Sequence, residues 1–166
     1  MTHLIRYASV CVALALLPGC GFIIVHGTRQ AIAAYTSQES EVNDALARYR
    51  ALVLRMEPDK LAETFDSRGE VSNGNQTPLK GREAILTFFN SFAGFKILEY
   101  EIAATSTTVQ GDKAVQKGNY REKMVEPSGE TVTVKGIFSA QWSRQPDGHW
   151  LILRMHTALR DGSNRG

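Results

Sequence analysis

Cysteine is almost absent from the chain. The 166 residues hold two, Cys11 and Cys20, both in the first 20 positions. No disulfide can therefore staple the remainder, and no cysteine-based metal site can form there. A surplus of one charge is also missing: 19 Lys and Arg face 17 Asp and Glu, a formal net charge of +2. Nucleic-acid binding needs a clustered basic face, and the densest local accumulation, Arg48 to Arg55, gives about one charge per helical turn. No nucleic-acid partner is expected. Histidine is sparse: His3, His26, His149 and His156. The last two are seven apart, which places them on opposite faces of a strand. No metal-ligand spacing, serine-nucleophile signature or glycine-rich phosphate loop occurs. No metal or cofactor is expected, and no internal repeat is present. At 43% hydrophobic and 22% charged residues, the composition is that of a folded domain and excludes a mainly disordered chain.

The hydrophobic residues are unevenly placed. Residues 1–7 carry one firm positive charge, Arg6, and residues 8–17 are apolar except for Ser9. Leu17-Pro18-Gly19-Cys20 follows. A charged end, an apolar middle and a small residue before a cut describe a secretory signal over residues 1–19. With cysteine directly after the cut, the segment resembles the lipobox of bacterial lipoproteins, in which Cys20 would be acylated. That resemblance implies a lipid anchor on the cell envelope. Gly21 rather than Asp after the cysteine favours the outer membrane of a Gram-negative cell. An uncleaved anchor is the alternative, since residues 8–25 approach the length of a spanning helix. Residues 20–40 then read as a tether, with Thr36-Ser37-Gln38-Glu39-Ser40 as its polar junction to the domain.

From residue 41 the pattern is helical. Val42, Leu46, Tyr49, Val53 and Met56 form one apolar stripe over residues 41–57, with Ser40 able to cap its start and Pro58 to end it. Residues 58–65 form a second, short helix opened by Pro58. Residues 66–80 read as loop, with a possible short strand at Glu70-Val71-Ser72. A third helix spans residues 81–92 on the stripe Ile85, Phe88, Phe89 and Phe92, with Gly94 placed to end it. From Phe95 the period falls to two. Strands are expected over residues 97–109, 114–125, 131–144 and 149–157, joined by turns at Gly111-Asp112, Pro127-Ser128-Gly129 and Asp147-Gly148. The plan is α+β: three helices on a curved four-stranded antiparallel sheet, plus one short strand, with the domain spanning residues 41–160 and a polar tail at 161–166.

Two stretches are more specific. Pro58-Asp59-Lys60-Leu61-Ala62-Glu63-Thr64-Phe65-Asp66, followed by Gly81-Arg82-Glu83-Ala84-Ile85, comes first. Gly136-Ile137-Phe138-Ser139-Ala140-Gln141-Trp142-Ser143-Arg144, followed by Asp147-Gly148-His149-Trp150, comes second. In this order and spacing they resemble the nuclear transport factor two-like superfamily, and within it the SnoaL-like and calcium/calmodulin-kinase-association-like bacterial domains. The resemblance implies a cone, open at one end to an apolar pocket and often dimeric. It leaves the activity open, because the cone hosts dehydratases, isomerases and non-catalytic modules.

The last strand alternates. Trp150, Ile152, Arg154 and His156 share one parity; Leu151, Leu153 and Met155 share the other. In similar domains the first set points into the cone, which would leave the Leu-Leu-Met face outward as a homodimer surface. The reverse assignment puts Leu151, Leu153 and Met155 in the core. An inward Arg154 favours a ligand with an acidic or carbonyl oxygen, whereas an outward one implies an ion pair with Asp66 or a sheet glutamate. His156 is a candidate acid or base, with Asp66, Glu70, Tyr120 or Glu122 as possible partners. Asp66, after the second helix, is the other catalytic candidate. Phe65, Phe88, Phe92, Tyr120, Phe138, Trp142 and Trp150 are the aromatic supply for the cone wall, with Tyr120, Phe138, Trp142 and Trp150 the candidates for ligand contact. Three functions stay open: binding of a small molecule, acid–base catalysis such as dehydration or isomerisation, and envelope assembly without a ligand.

Overall fold

The computed structural model describes residues 20–160. The secretory pattern and the polar tail lie outside the described residues. The chain divides into two units between Ala34 and Tyr35, and the second holds the sheet and the core. No described helix is long and apolar enough to cross a membrane.

Helix α1 (Cys20–Arg55) runs unbroken through the expected junction, so Ser40 lies inside a helix and caps nothing. Residues 26–40 contain no proline and several alanines, and the polar residues Thr36, Ser37 and Ser40 are exposed on the helix. The expected stripe is the buried one: Val42, Leu46, Tyr49 and Val53 are each at most 6% exposed. The helix ends where Met56 turns left-handed at φ 45°. Met56 N–H then donates to the Val53 carbonyl, and Glu57 N–H to that of Leu52. Pro58 opens α2 (Pro58–Glu63).

The second helix stops short of its expected end. Thr64 closes it, its hydroxyl donating to the Leu61 carbonyl at 2.6 Å. Phe65 opens β1 (Phe65–Asn73), a nine-residue strand where a short one was expected. Next come β2 (Leu79–Lys80) and α3 (Arg82–Asn90). Gly81 provides the φ of 84° at the entry to α3. The remaining strands are β3 (Lys96–Gln110), β4 (Lys113–Val125), β5 (Thr131–Arg144) and β6 (Trp150–Leu159), joined by the expected glycine turns.

The six strands form one curved, unclosed sheet in the order β2-β1-β6-β5-β4-β3. The expected antiparallel meander holds from β3 to β6. β1 departs from it by lying parallel to β6. The sheet face that meets the helices carries Tyr100 and Ile102, Ala114 to Met124 at even positions, Phe138, Ala140, Trp142, Ile152 and Met155.

One irregularity decides the site. Gln141 lies opposite Arg154 and Trp142 opposite Ile152, so Leu153 is an extra residue in β6, a bulge. Side-chain direction therefore reverses relative to strict alternation. Trp150 and Ile152 point to the core before the bulge; Met155 does so after it, at 1% exposure. Arg154 and His156 are thereby turned to the opposite face.

Candidate functional site

The two ends of the sheet are filled differently. At the end formed by the last residues of β5 and the first of β6, Trp142 and Trp150 are packed to 1% and 3% exposure. Trp150 Nε1 donates to Glu41 at 3.1 Å, and Glu41 pairs with Arg144 at 3.2 Å. Gln116 Nε2 donates to Asn43 Oδ1 at 2.7 Å, which ties β4 to α1. This end is sealed.

The other end is hollow. A cavity of about 270 Å³ lies among α1, α2, α3 and the ends of β1, β4 and β6. Its wall is mainly apolar, with Phe88 and Phe89 from α3, Phe92 from the turn after it and Met155 from β6. Neutral polar residues, Asn73, Gln76 and Thr77, contribute from the connection between β1 and β2. Small-molecule sites typically enclose about 300–1,000 Å³ behind mostly apolar walls, so this is a compartment for a small ligand.

Among the described residues, Glu122 is the only charged side chain lining it. On β4 it lies opposite Tyr100 of β3 and Val134 of β5. Burial away from water raises its carboxyl to about 7, because the charged form loses hydration and no cationic side chain restores it. Three phenols surround it. Tyr49 comes from α1, Tyr100 from β3 and Tyr120 from β4, two residues before Glu122 on the same face. Burial, and then the Glu122 charge, push the Tyr49 and Tyr120 hydroxyls up. Burial raises Tyr100 as well, followed by the neighbouring Tyr49. Tyr49 and Tyr100 share a hydrogen bond, with ring centroids 6.5 Å apart and nearly perpendicular planes. A desolvated carboxyl among phenols can donate or accept a proton near neutral pH, or pair with a ligand group.

Of the expected aromatic supply, Phe88, Phe92 and Tyr120 line this cavity; Phe65, Phe138, Trp142 and Trp150 are packed in the core. Arg154 and His156 are absent from the cavity wall because the Leu153 bulge reverses their side. Arg154 Nε donates to Glu70 Oε2 at 3.1 Å, the ion pair that the sequence left as its alternative. Lys80 joins Glu70 from β2 at 3.3 Å, and this contact, with that of Arg154, lowers the Glu70 carboxyl. His156 Nδ1 lies 2.9 Å from the Ser72 hydroxyl, a partner the sequence did not suggest. Met155, expected outside with Leu151 and Leu153, is core.

Asp66 is buried to 6% exposure but lies outside the cavity. The Arg68 backbone N–H donates to it at 3.0 Å and Gln145 Nε2 at 3.2 Å. These bonds, the Arg68 one first, lower its carboxyl, so it is held as a structural anion and is a poor base. Among the described residues, no cluster of three or more His, Cys, Asp or Glu could hold a metal. Tyr49 was read from the sequence as core, and Glu122 only as a partner for His156. The signal for Glu122 is in β4: Tyr120, Glu122 and Met124 alternate in phase with the core positions Ala114, Gln116 and Gly118.

A family model described as a SnoaL-like domain matches residues 34–156. No curated protein matches the chain. Among solved structures, a ketosteroid isomerase-like protein from Erwinia carotovora atroseptica superposes with a TM-score of 0.67 at 12% identity, covering 74% of this chain and 95% of that one. An NTF2-like protein with a cystatin-like fold from Novosphingobium aromaticivorans gives 0.64 at 23% identity over 82% and 91%. A calcium/calmodulin-dependent protein kinase II association domain from Xanthomonas campestris gives 0.62 at 21% over 74% and 87%. At these identities the likeness is one of fold.

Proposed function

The chain belongs to the SnoaL-like domain family, and from that premise we propose that it binds a small, largely apolar molecule through one polar group docked on Glu122. The observation that carries this reading is the lone carboxyl, surrounded by Tyr49, Tyr100 and Tyr120, in an otherwise uncharged cavity of about 270 Å³. An acidic end group on the ligand, suggested by an inward Arg154, loses its support because, among the described residues, no cationic side chain lines the wall. The test is a calorimetric screen of small aromatic molecules against the wild type and Met124→Trp, which fills the cavity. Binding abolished by the tryptophan supports the reading. Binding unaffected by it would move the ligand elsewhere.

A second reading is favoured by the raised Glu122 carboxyl. A group that titrates near 7 can take a proton from a substrate carbon or hydroxyl and return it elsewhere. That would make the domain an isomerase or dehydratase, with Glu122 in the role the sequence offered to His156 and Asp66. Turnover of a bound molecule, lost in Glu122→Gln with binding retained, would establish it.

The location of this activity is proposed from sequence. The pattern ending at Cys20 supports a lipid-anchored protein of the cell envelope. Fatty-acid labelling tests it: equal incorporation into wild type and Cys20→Ser would remove the anchor. A homodimer through the sheet face away from the helices is supported by Ile137 and Val115, 45% and 39% exposed. Sedimentation of wild type and Ile137→Lys tests that; identical monomers would end it.

A further inference from the structure

We infer that the polar group of the ligand is a protonated amine, so that the cavity selects small aromatic or apolar monocations. This rests on the cavity reading above and narrows it. The cavity end around Glu122 holds three phenol hydroxyls, each able to donate and to accept, and, among the described residues, no cation. An ionised Glu122 accepts at both carboxylate oxygens and donates nothing. The phenols can hydrogen-bond the carboxylate but cannot neutralise it, whereas an ammonium brings three donors together with a charge.

The charge balance points the same way. Tyr49 on α1, Tyr100 on β3 and Tyr120 on β4 are the titratable neighbours of Glu122 in the cavity. Helices α2 and α3 and strands β1, β2, β5 and β6 present only neutral side chains to it. Arg50 donates its Nε to the Tyr100 backbone carbonyl at 2.9 Å and does not line the cavity. A carboxylate taken out of water with no internal cation is a strong reason to bind one from outside. The aromatic wall adds to this, since the faces of phenol and benzyl rings attract cations.

The experiment uses three probes of one size on the full chain: 2-phenylethylamine, 2-phenylethanol and phenylacetate, titrated at pH 6 and pH 8. The amine stays protonated across this range while Glu122 ionises. The competent fraction of Glu122 rises with pH, so the amine should bind roughly tenfold tighter at pH 8 than at pH 6. Glu122→Gln should remove both the preference for the amine and its pH dependence. Tyr120→Phe should keep the pH trend while weakening binding. If phenylethanol binds more tightly than the amine and loses affinity as pH rises, Glu122 acts as a neutral donor and the amine inference is overturned, while the cavity reading stands. Tightest binding of phenylacetate overturns it likewise. If none of the three binds at either pH, the cavity reading falls and the inference with it.

Discussion

Gly136 on β5 lies directly opposite Tyr120 on β4, and the tyrosine ring occupies the space its side chain would fill. A Cβ on Gly136 would overlap both that ring and the backbone carbonyl of Ala158 on β6. The absence of a side chain there lets one phenol of the cavity lie flat across the sheet. The backbone is ordinary strand, so the glycine is required for space and not for φ.

Gly136→Ala should therefore destabilise the domain by at least about 1–3 kcal/mol, the usual cost of overpacking. Ser139→Ala, three residues on and facing away from the helices, should stay within about 0.5 kcal/mol. Denaturant unfolding of both variants checks this, and equal stability would mean the two strands separate readily at that point.

Glu122 makes stability depend on pH in an uncommon direction. Its carboxyl titrates at about 7 in the fold against an ordinary 4.5. Below pH 4.5 folded and unfolded chains both hold the proton. Between 4.5 and 7 only the unfolded chain releases it, so the contribution of Glu122 falls as pH rises. Above 7 the loss is complete, on the order of 3 kcal/mol. Asp66 is shifted the other way and acts on the acid side, where stability is lost as pH falls. Glu122→Gln should remove the neutral-range slope and be more stable than wild type at pH 8. Urea unfolding at pH 5 and pH 8 reads both; parallel curves for the two proteins would place Glu122 in contact with water.

Arg154→Met should leave the affinity of any cavity ligand unchanged. The Arg154 side chain is 52% exposed and pairs with Glu70 at the surface, so its removal should cost less than about 1 kcal/mol. A drop in probe affinity at intact stability would return Arg154 to the site.

Deleting Leu153 should leave the core intact. Without it, Gln141–Arg154 and Trp142–Ile152 become successive pairs of a regular ladder, and strict alternation keeps Ile152 and Met155, both at most 1% exposed, on the core face. The deletion should therefore unfold cooperatively, as should Leu153→Ala. Denaturant unfolding of the two variants checks this; loss of cooperativity in the deletion alone would show that the bulge itself holds β1 against β6.

The bulge also explains where reading the chain stopped short. Helical stripes, glycine turns and the four long strands are local, and local patterns placed them within a few residues. The family resemblance rested on Gly81-Arg82-Glu83-Ala84-Ile85 and the final hairpin, which are local as well. An extra residue in β6 is visible only against the spacing of β5, so parity carried Arg154 and His156 to the wrong side. The length of β1 was hidden for a related reason. Its stretch Asp66-Ser67-Arg68-Gly69-Glu70 is polar, and the strand is held by pairs with β6 on either side of residues 66–69, at Phe65 and from Glu70 to Asn73. Glu122 went undervalued because a glutamate in a strand reads as surface until its neighbours on three other elements are known.

The parallel pairing of β1 with β6 has a consequence for synthesis. β1 is made early, yet the strand that seats it, Trp150–Leu159, is made only after four intervening strands. Until then the backbone of Phe65–Asn73 has β2 alone to pair with, across two residues. The meander of β3, β4 and β5 can form by local hairpins in the meantime, but the cavity wall from Val71 and Met155 cannot exist until β6 is made, so every ligand contact there follows synthesis of that strand.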